Sequence, residues 1–235
     1  MNVRALATDY DGTIAWHGAV EPSTVRALEQ LKESGRKLLL VTGREIPDLF
    51  KVFSEACLFD LIVAENGALI YRPREREART LAPPSPPEFV DRLREAGVHP
   101  LSVGQAIVAT QENYYGVVQE IIAELKLDLQ IIMNKGALMV LPSQINKASG
   151  LIEALYELDI SAEEVVGVGD AENDFVFLEL CGISAAVANA VPGLKAVVSY
   201  VTRATHGAGV EELIAMVMGG NLVPEEKRHV RADYF

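Results

Sequence analysis

Leu6-Ala7-Thr8-Asp9-Tyr10-Asp11-Gly12-Thr13 reads as the end of a buried strand that delivers a carboxylate into a turn. Val3, Ala5, Leu6 and Ala7 supply the apolar run, two aspartates follow with a single residue between them, and Gly12 lets the chain turn. Side chains alternate along a strand, so Asp9 and Asp11 begin on one face, and the turn redirects the second carboxylate without reversing it. Two carboxylates that close cannot both stay ionised in a confined site, because like charges raise one pKa; a divalent cation removes the penalty. Such a pair suits attack by a carboxylate on phosphorus, the second carboxyl group moving the proton of the leaving alcohol and then of the attacking water. An Asx turn would give Asp-x-Asp-Gly for local hydrogen bonding alone. The same letters open an EF-hand loop, but that loop needs glutamate at its twelfth position, which here is Val20, so a calcium loop fails.

Outward from this stretch the chain alternates helix and strand. Ser23 is placed to cap a helix whose apolar stripe is Val25, Leu28 and Leu31, and Gly35 ends it. Lys37 to Val41 then reads as a buried strand, and strand, helix, strand in this order predicts a parallel right-handed unit with its active end beyond the strands' carboxyl termini. Thr42-Gly43-Arg44 follows at that end. A hydroxyl and a backbone amide beside glycine suit a phosphoryl oxygen, with a helix dipole from about Glu45 behind them; a threonine capping that helix is an equal and compatible reading. Leu61 to Ala64 is a third buried strand, and Asn66-Gly67 before Leu69-Ile70-Tyr71 signals a hairpin.

Charges and then prolines fill 72–87, a boundary that no helix or central strand crosses. An insert follows, with helices over 88–96 and 112–125 and strands over 106–109, 129–133 and 137–141, the last two around Asn134-Lys135-Gly136. Of Tyr114 and Tyr115, one is expected to pack on the insert's sheet and the other to be exposed.

Lys147 precedes an apolar helix, where the dipole disfavours a cation, so an anionic neighbour is expected there. The strand through Val165-Val166-Gly167-Val168-Gly169 ends at Asp170, and Asp174 lies one helical turn further on, so both carboxylates can face one point if a helix starts there. Hard carboxylate oxygens around a small cation fit Mg²⁺. An acidic helix start stabilised by the dipole would look the same locally. Short strands are expected over 183–187 and 196–201, with a helix starting near Pro192 and another ending at Gly219-Gly220.

The composition fits a domain with a buried core: 235 residues, 49% apolar and 23% charged. A net charge of −12 disfavours nucleic acid and anionic membranes as partners and requires local cations at any phosphate site. Cys57 and Cys181 sit in apolar settings and read as buried thiols. No leader pattern and no membrane-length apolar run is visible, so a cytoplasmic location is expected.

Asp9-Tyr10-Asp11-Gly12-Thr13, Val41-Thr42-Gly43-Arg44, Lys147 and Gly167-Val168-Gly169-Asp170-Ala171-Glu172-Asn173-Asp174 resemble, in order and type, the four motifs of the haloacid dehalogenase superfamily. The chain is similar to its Cof-type branch, which includes archaeal-type phosphoglycolate phosphatases and sugar phosphatases. The resemblance implies an α/β fold: a Rossmann-like parallel sheet core with a small inserted α/β cap of the C2 type. Core is then expected at 1–80 and 144–220 and cap at 81–143, with a charged tail at 221–235 unassigned. It implies Asp9 as nucleophile and Asp11 as acid and base. The Mg²⁺ ligands would be Asp9, the Asp11 carbonyl and Asp170, with Asp174 direct or through water. Asn173 would orient the cluster, and Thr42, Gly43, Arg44, Lys147 and Asn66 would meet the substrate, a small phosphorylated metabolite. A phosphomutase of the same superfamily is the first alternative, and a receiver-like phospho-acceptor domain a distant second.

Overall fold

The computed structural model describes residues 2–222. The first strand, β1 (Ala5–Thr8), is buried throughout, as an uninterrupted apolar run requires. A small hairpin of β2 (Ala15–Trp16) and β3 (Ala19–Val20) leads into α1 (Pro22–Glu33), β4 (Lys37–Val41), α2 (Ile46–Val52) and β5 (Leu61–Ala64). Then come β6 (Leu69–Arg72), β7 (Glu77–Thr80), α3 (Pro87–Glu95), β8 (Ser102–Val103), β9 (Val108–Gln111), α4 (Tyr115–Glu124), β10 (Leu129–Asn134) and β11 (Ala137–Pro142). The chain continues through α5 (Lys147–Leu158), β12 (Val165–Gly169), α6 (Phe175–Leu180), β13 (Ile183–Ala186), α7 (Pro192–Val197), β14 (Tyr200–Val201) and α8 (His206–Gly219).

These elements form an α/β core with an α/β cap. The core sheet runs β14-β13-β12-β1-β4-β5-β6-β7. Its strands are parallel from β14 to β5, as expected of the core, and antiparallel from there on, where the expected hairpin turns the chain. The reversal is the Asn66-Gly67 turn, with φ of 54° and 108°, which sets Ala64 opposite Leu69. The edge strand β7 escapes a sequence reading because its residues are mostly exposed and it follows a run of charges. It is tied down instead by Arg79, which reaches Glu157 of α5 at 2.7 Å, the carboxylate that Arg72 also holds.

The cap sheet is antiparallel, in the order β10-β11-β9-β8. Alternation gives it two apolar faces. Val108, Leu138 and Val140 pack with Phe89, Leu93, Val118 and Ile121 of α3 and α4, while Met139, Ala109 and Ile132 meet Ala68 of the core. Tyr114 packs partly against the cluster that Val108, Leu138 and Val140 of the sheet form with the helices, and Tyr115 is exposed, as expected.

Four local expectations need correcting. Ser23 does not cap α1: Pro22 takes the first turn, where its missing N–H costs nothing, and Glu21 precedes it. Residues 196–199 are not strand, since α7 runs to Val197 and only Tyr200–Val201 pairs with β13. Cys181 is buried but Cys57 is exposed. No helix starts at Asp170; a 3₁₀ turn at Glu172–Asp174 comes first and α6 begins at Phe175. Most of the unassigned tail, 223–235, lies outside the described residues. Among the described residues no helix is long and apolar enough to cross a membrane.

Candidate active site

Because β1 and β12 are parallel neighbours in register, Thr8 opposite Val168, the residues just past their ends emerge side by side. Asp9 and Asp170 are those residues, 5% and 0% exposed. Gly12 makes the approach possible: its φ is +85°, and a Cβ there would collide with the Asp170 carboxylate. The Thr13 hydroxyl lies 3.0 Å from Asp9 Oδ2 and 3.2 Å from Asp170 Oδ1, joining the two.

Asp174 joins them by folding back. Its Oδ2 accepts from the backbone N–H groups of Asp170 (2.8 Å) and Ala171 (3.0 Å), which shapes the 3₁₀ turn. Lys147 completes the cluster from the first position of α5, which Asn146 caps through the N–H groups of Ala148 and Ser149. Its Nζ donates at 2.6 Å to both Asp9 Oδ1 and Asp174 Oδ1, and the residue is 1% exposed. The lysine that its helix dipole disfavours is thus held by two buried carboxylates.

Oxygens of Asp9, Asp170 and Asp174 all lie within 4.8 Å of one another. Burial, then the Asp174 charge, pushes the Asp9 carboxyl up to about 8 against the pull of Lys147. Burial also raises Asp170, while Lys135 opposes the rise. Burial alone would lower Lys147, but Asp174 and Asp9 outweigh it and raise it. A buried set of hard oxygens in which burial makes the Asp9 and Asp170 carboxyl groups resist ionisation fits a divalent cation. The buried Asn173 Oδ1 has no donor among the described residues, so it can accept from a water in a cation's hydration shell.

The other predicted residues lie around this cluster in different ways. Asp11 does not share the site with Asp9. Its side chain is about half exposed and accepts from Arg44 Nε (2.7 Å) and Nη2 (2.8 Å), while Arg44 Nη1 holds Asp48 at 2.8 Å. The like charges that crowd Asp9 therefore come from β12's end, not from its own motif. Thr42 is buried and does not cap α2, whose N-cap position is Glu45 with no side-chain capping bond; its Oγ1 accepts the Arg44 N–H at 3.1 Å in a local turn, while its carbonyl accepts from Asn66 N at 3.0 Å. Asn66 Oδ1 accepts from Asn173 Nδ2 at 3.0 Å, so Asn66 steadies Asn173. A Cβ at Gly43 would stand 3.4 Å from Met139 Sδ of the cap.

Two residues at the site went unassigned in the sequence. Thr13 lay inside the opening motif, and only the turn at Gly12 reveals that its hydroxyl bridges two carboxylates. Lys135 sits in the β10–β11 turn, and its Nζ forms an ion pair with Asp170 Oδ2. The turn was legible but not its aim, which depends on how the cap sits. Glu65 holds that seat: buried, it accepts from the N–H groups of Gln105 (2.9 Å), Ala106 (2.8 Å) and Ile107 (3.1 Å) in the cap.

Known proteins share this architecture. The chain matches the family model described as haloacid dehalogenase-like hydrolase over residues 6–113 and 97–214. It is 31% identical over 226 residues to a phosphoglycolate phosphatase of Methanothermobacter thermautotrophicus, covering 92% of this chain and 100% of that one. A phosphoglycolate phosphatase of Sulfolobus acidocaldarius is 30% identical over 231 residues, covering 94% and 99%. Among solved structures, a haloacid dehalogenase-like hydrolase from Bacteroides thetaiotaomicron superposes with a TM-score of 0.80 at 19% identity, covering 92% and 100%. A sugar phosphatase of haloacid dehalogenase subclass IIB gives 0.74 at 20%, covering 94% and 100%. By the matched length, the relatives' identity and the shared fold, this chain belongs to the haloacid dehalogenase-like hydrolase family.

Proposed function

We propose that the protein is a phosphatase: a Mg²⁺-dependent phosphomonoesterase that hydrolyses a small phosphorylated metabolite, of the phosphoglycolate or sugar phosphate type, through an aspartyl-phosphate on Asp9. The observation that carries this is the buried meeting of Asp9, Asp170, Asp174 and Lys147 at the carboxyl end of β1 and β12. Asp9 is oriented at both oxygens, by Lys147 and by Thr13, which suits a carboxylate that must attack phosphorus in line. The relatives named phosphoglycolate phosphatase and the neighbour named sugar phosphatase support the substrate class.

In this reading Asp9, the Asp11 carbonyl and Asp170 would hold Mg²⁺. Asp174, whose oxygens are engaged by Lys147 and two N–H groups, acts through Lys147 or through water. When bound, the metal supplies positive charge to the phosphoryl oxygens. Asp9 forms a bond to phosphorus as the ester bond breaks, and Asp11 gives the departing alkoxide its proton. Asp11 then takes a proton from the water that hydrolyses the aspartyl phosphate, so it must part from Arg44 during the cycle. Thr42, the Gly43 N–H and Lys147 offset charge on the phosphoryl oxygens. Residues 81–143 serve as a cap on the core of 1–80 and 144–220, excluding water.

Asp9→Asn tests the nucleophile. Phosphate release from a phosphometabolite panel with Mg²⁺ should fall at least about 10⁴-fold while the fold is kept. Turnover surviving in that variant removes Asp9 from the role. Free phosphate from the wild type, rather than an isomerised sugar phosphate, separates a hydrolase from a phosphomutase.

A further inference from the structure

Three cations stand around the acidic cluster, and they are bound differently. Lys147 bridges two buried carboxylates, and Arg44 bridges Asp11 and Asp48. Among the described residues Lys135 pairs with Asp170 alone, and its side chain is 43% exposed on a hairpin turn. It is therefore the cation that can change partner at least cost.

The cap's pairing brings Lys135 to this position. Asn134 lies opposite Ala137, so Lys135 and Gly136, with φ of 47° and 85°, form the tip of a tight hairpin. β10 lies against the 172–174 turn of the core. Lys135 Nζ would be 3.1 Å from a Cβ on Gly12, and Met139 Sδ 3.4 Å from one on Gly43. The cap thus rests on the loops after β1 and β4 together.

We propose that Lys135 selects the substrate by pairing with an anionic group, a carboxylate, on the leaving alcohol of a short phosphomonoester. The inference rests on the phosphatase reading above and names the substrate class of that same site. With a divalent cation held at Asp170, Lys135 would no longer be needed to neutralise that carboxylate, and its ammonium, on a side chain 43% exposed, would be free to pair with another anion. The phosphoryl group is already met by Lys147 and the metal, so the anion that answers Lys135 is on the other end of the substrate. Lys135 stands on a tight turn beside Gly12 and Asp170, so an anion it reaches on leaving Asp170 lies within a lysine side chain's swing of the ester oxygen. At ~1.5 Å per bond this is a phosphorylated acid of about two or three carbons. In a chain of net charge −12 a single-ammonium contact to such an acid gives selectivity that the global field opposes.

The test compares phosphoglycolate, which carries the carboxylate, with ethyl phosphate, which has the same carbon count without it. In an Asp9→Asn background with Mg²⁺, which binds without turnover, Lys135→Gln should weaken phosphoglycolate binding by about 10- to 50-fold. Ethyl phosphate binding should stay within about twofold. With Asp9 intact, the same substitution should lower kcat/KM for phosphoglycolate chiefly through KM and leave ethyl phosphate little changed. Equal losses on both esters, or none on phosphoglycolate, would overturn the assignment. If the wild type releases phosphate from both esters but with no preference that Lys135→Gln removes, only this inference falls. Release from neither, with release from a sugar phosphate, would likewise overturn only this inference, whereas release from no phosphate ester of the panel would overturn the phosphatase reading along with it.

Discussion

Lys147 and Lys135 both set an ammonium against the carboxylates at the end of the core sheet, yet one is 1% exposed at the start of a core helix and the other 43% exposed on a cap turn. Lys147 is fixed from two sides, so its loss would leave Asp9 and Asp174 buried without a counter-charge. Lys135 answers one carboxylate and has water as an alternative partner. The difference separates a charge built into the fold from a charge free to respond to what enters the site. The same split divides the aspartates of the opening motif: Asp9 belongs to the buried cluster, and Asp11 faces outward on Arg44.

Lys147→Met should break the comparison most severely. Removing one partner of a buried ion pair costs about 3–5 kcal/mol, read as a lower denaturation midpoint in urea, and phosphate release should fall at least about 10³-fold. A stable, active Lys147→Met protein would mean that the two lysines do not differ as argued.

Metal and pH sharpen it next. Asp9 holds its proton to about 8 when folded and to about 3.8 when unfolded, so without metal it contributes stability that is fully present below the lower value. That contribution is lost as pH rises through about 8. A divalent cation competes with the proton, so Mg²⁺ should raise Tm more at pH 8 than at pH 5. An equal rise at both would place the metal elsewhere.

Arg44→Gln should have a smaller effect. The pair it forms with Asp11 is partly exposed, so stability should change by less than about 1 kcal/mol. Turnover should change by a few-fold, because the acid and base of the proposed cycle has lost its resting partner. Wild-type turnover in that variant would show that Arg44 does not govern Asp11. Lys135→Ala should be the mildest for the fold, within about 0.5 kcal/mol by urea denaturation of the metal-free protein. A cost near that of Lys147 would erase the distinction.

Legibility in the sequence followed the range of the interactions involved. The buried strands at Ala5, Lys37, Leu61 and Val165 could be read because full burial demands an apolar run. The carboxylates at the ends of β1 and β12 followed from the parallel order, since such strands deliver their ends to one edge. The Lys147 misfit was also readable, because a cation at a helix start requires an anion that its own helix does not supply. Elsewhere local spacing misled. Two positions apart put Asp9 and Asp11 on one strand face, but β1 stops at Thr8 and the turn sends Asp11 to Arg44. Four positions apart put Asp170 and Asp174 one helical turn apart, but the Asp174 carboxylate takes the Asp170 and Ala171 N–H groups and delays the helix. The edge strand β7 carries no apolar run, so only its pairing with β6 identifies it.

By itself the sequence determined which strands are buried and which acidic groups stand at the strand ends, because burial and alternation are local signatures of composition. Only the tertiary structure decided which charges meet. Asp9 gained Asp170, Asp174 and Lys147 from segments more than a hundred residues away, Asp11 went to Arg44, and a cap turn put Lys135 on Asp170. Contacts between distant segments depend on strand order and on the seat of the cap against Glu65, and no window of neighbouring residues encodes either.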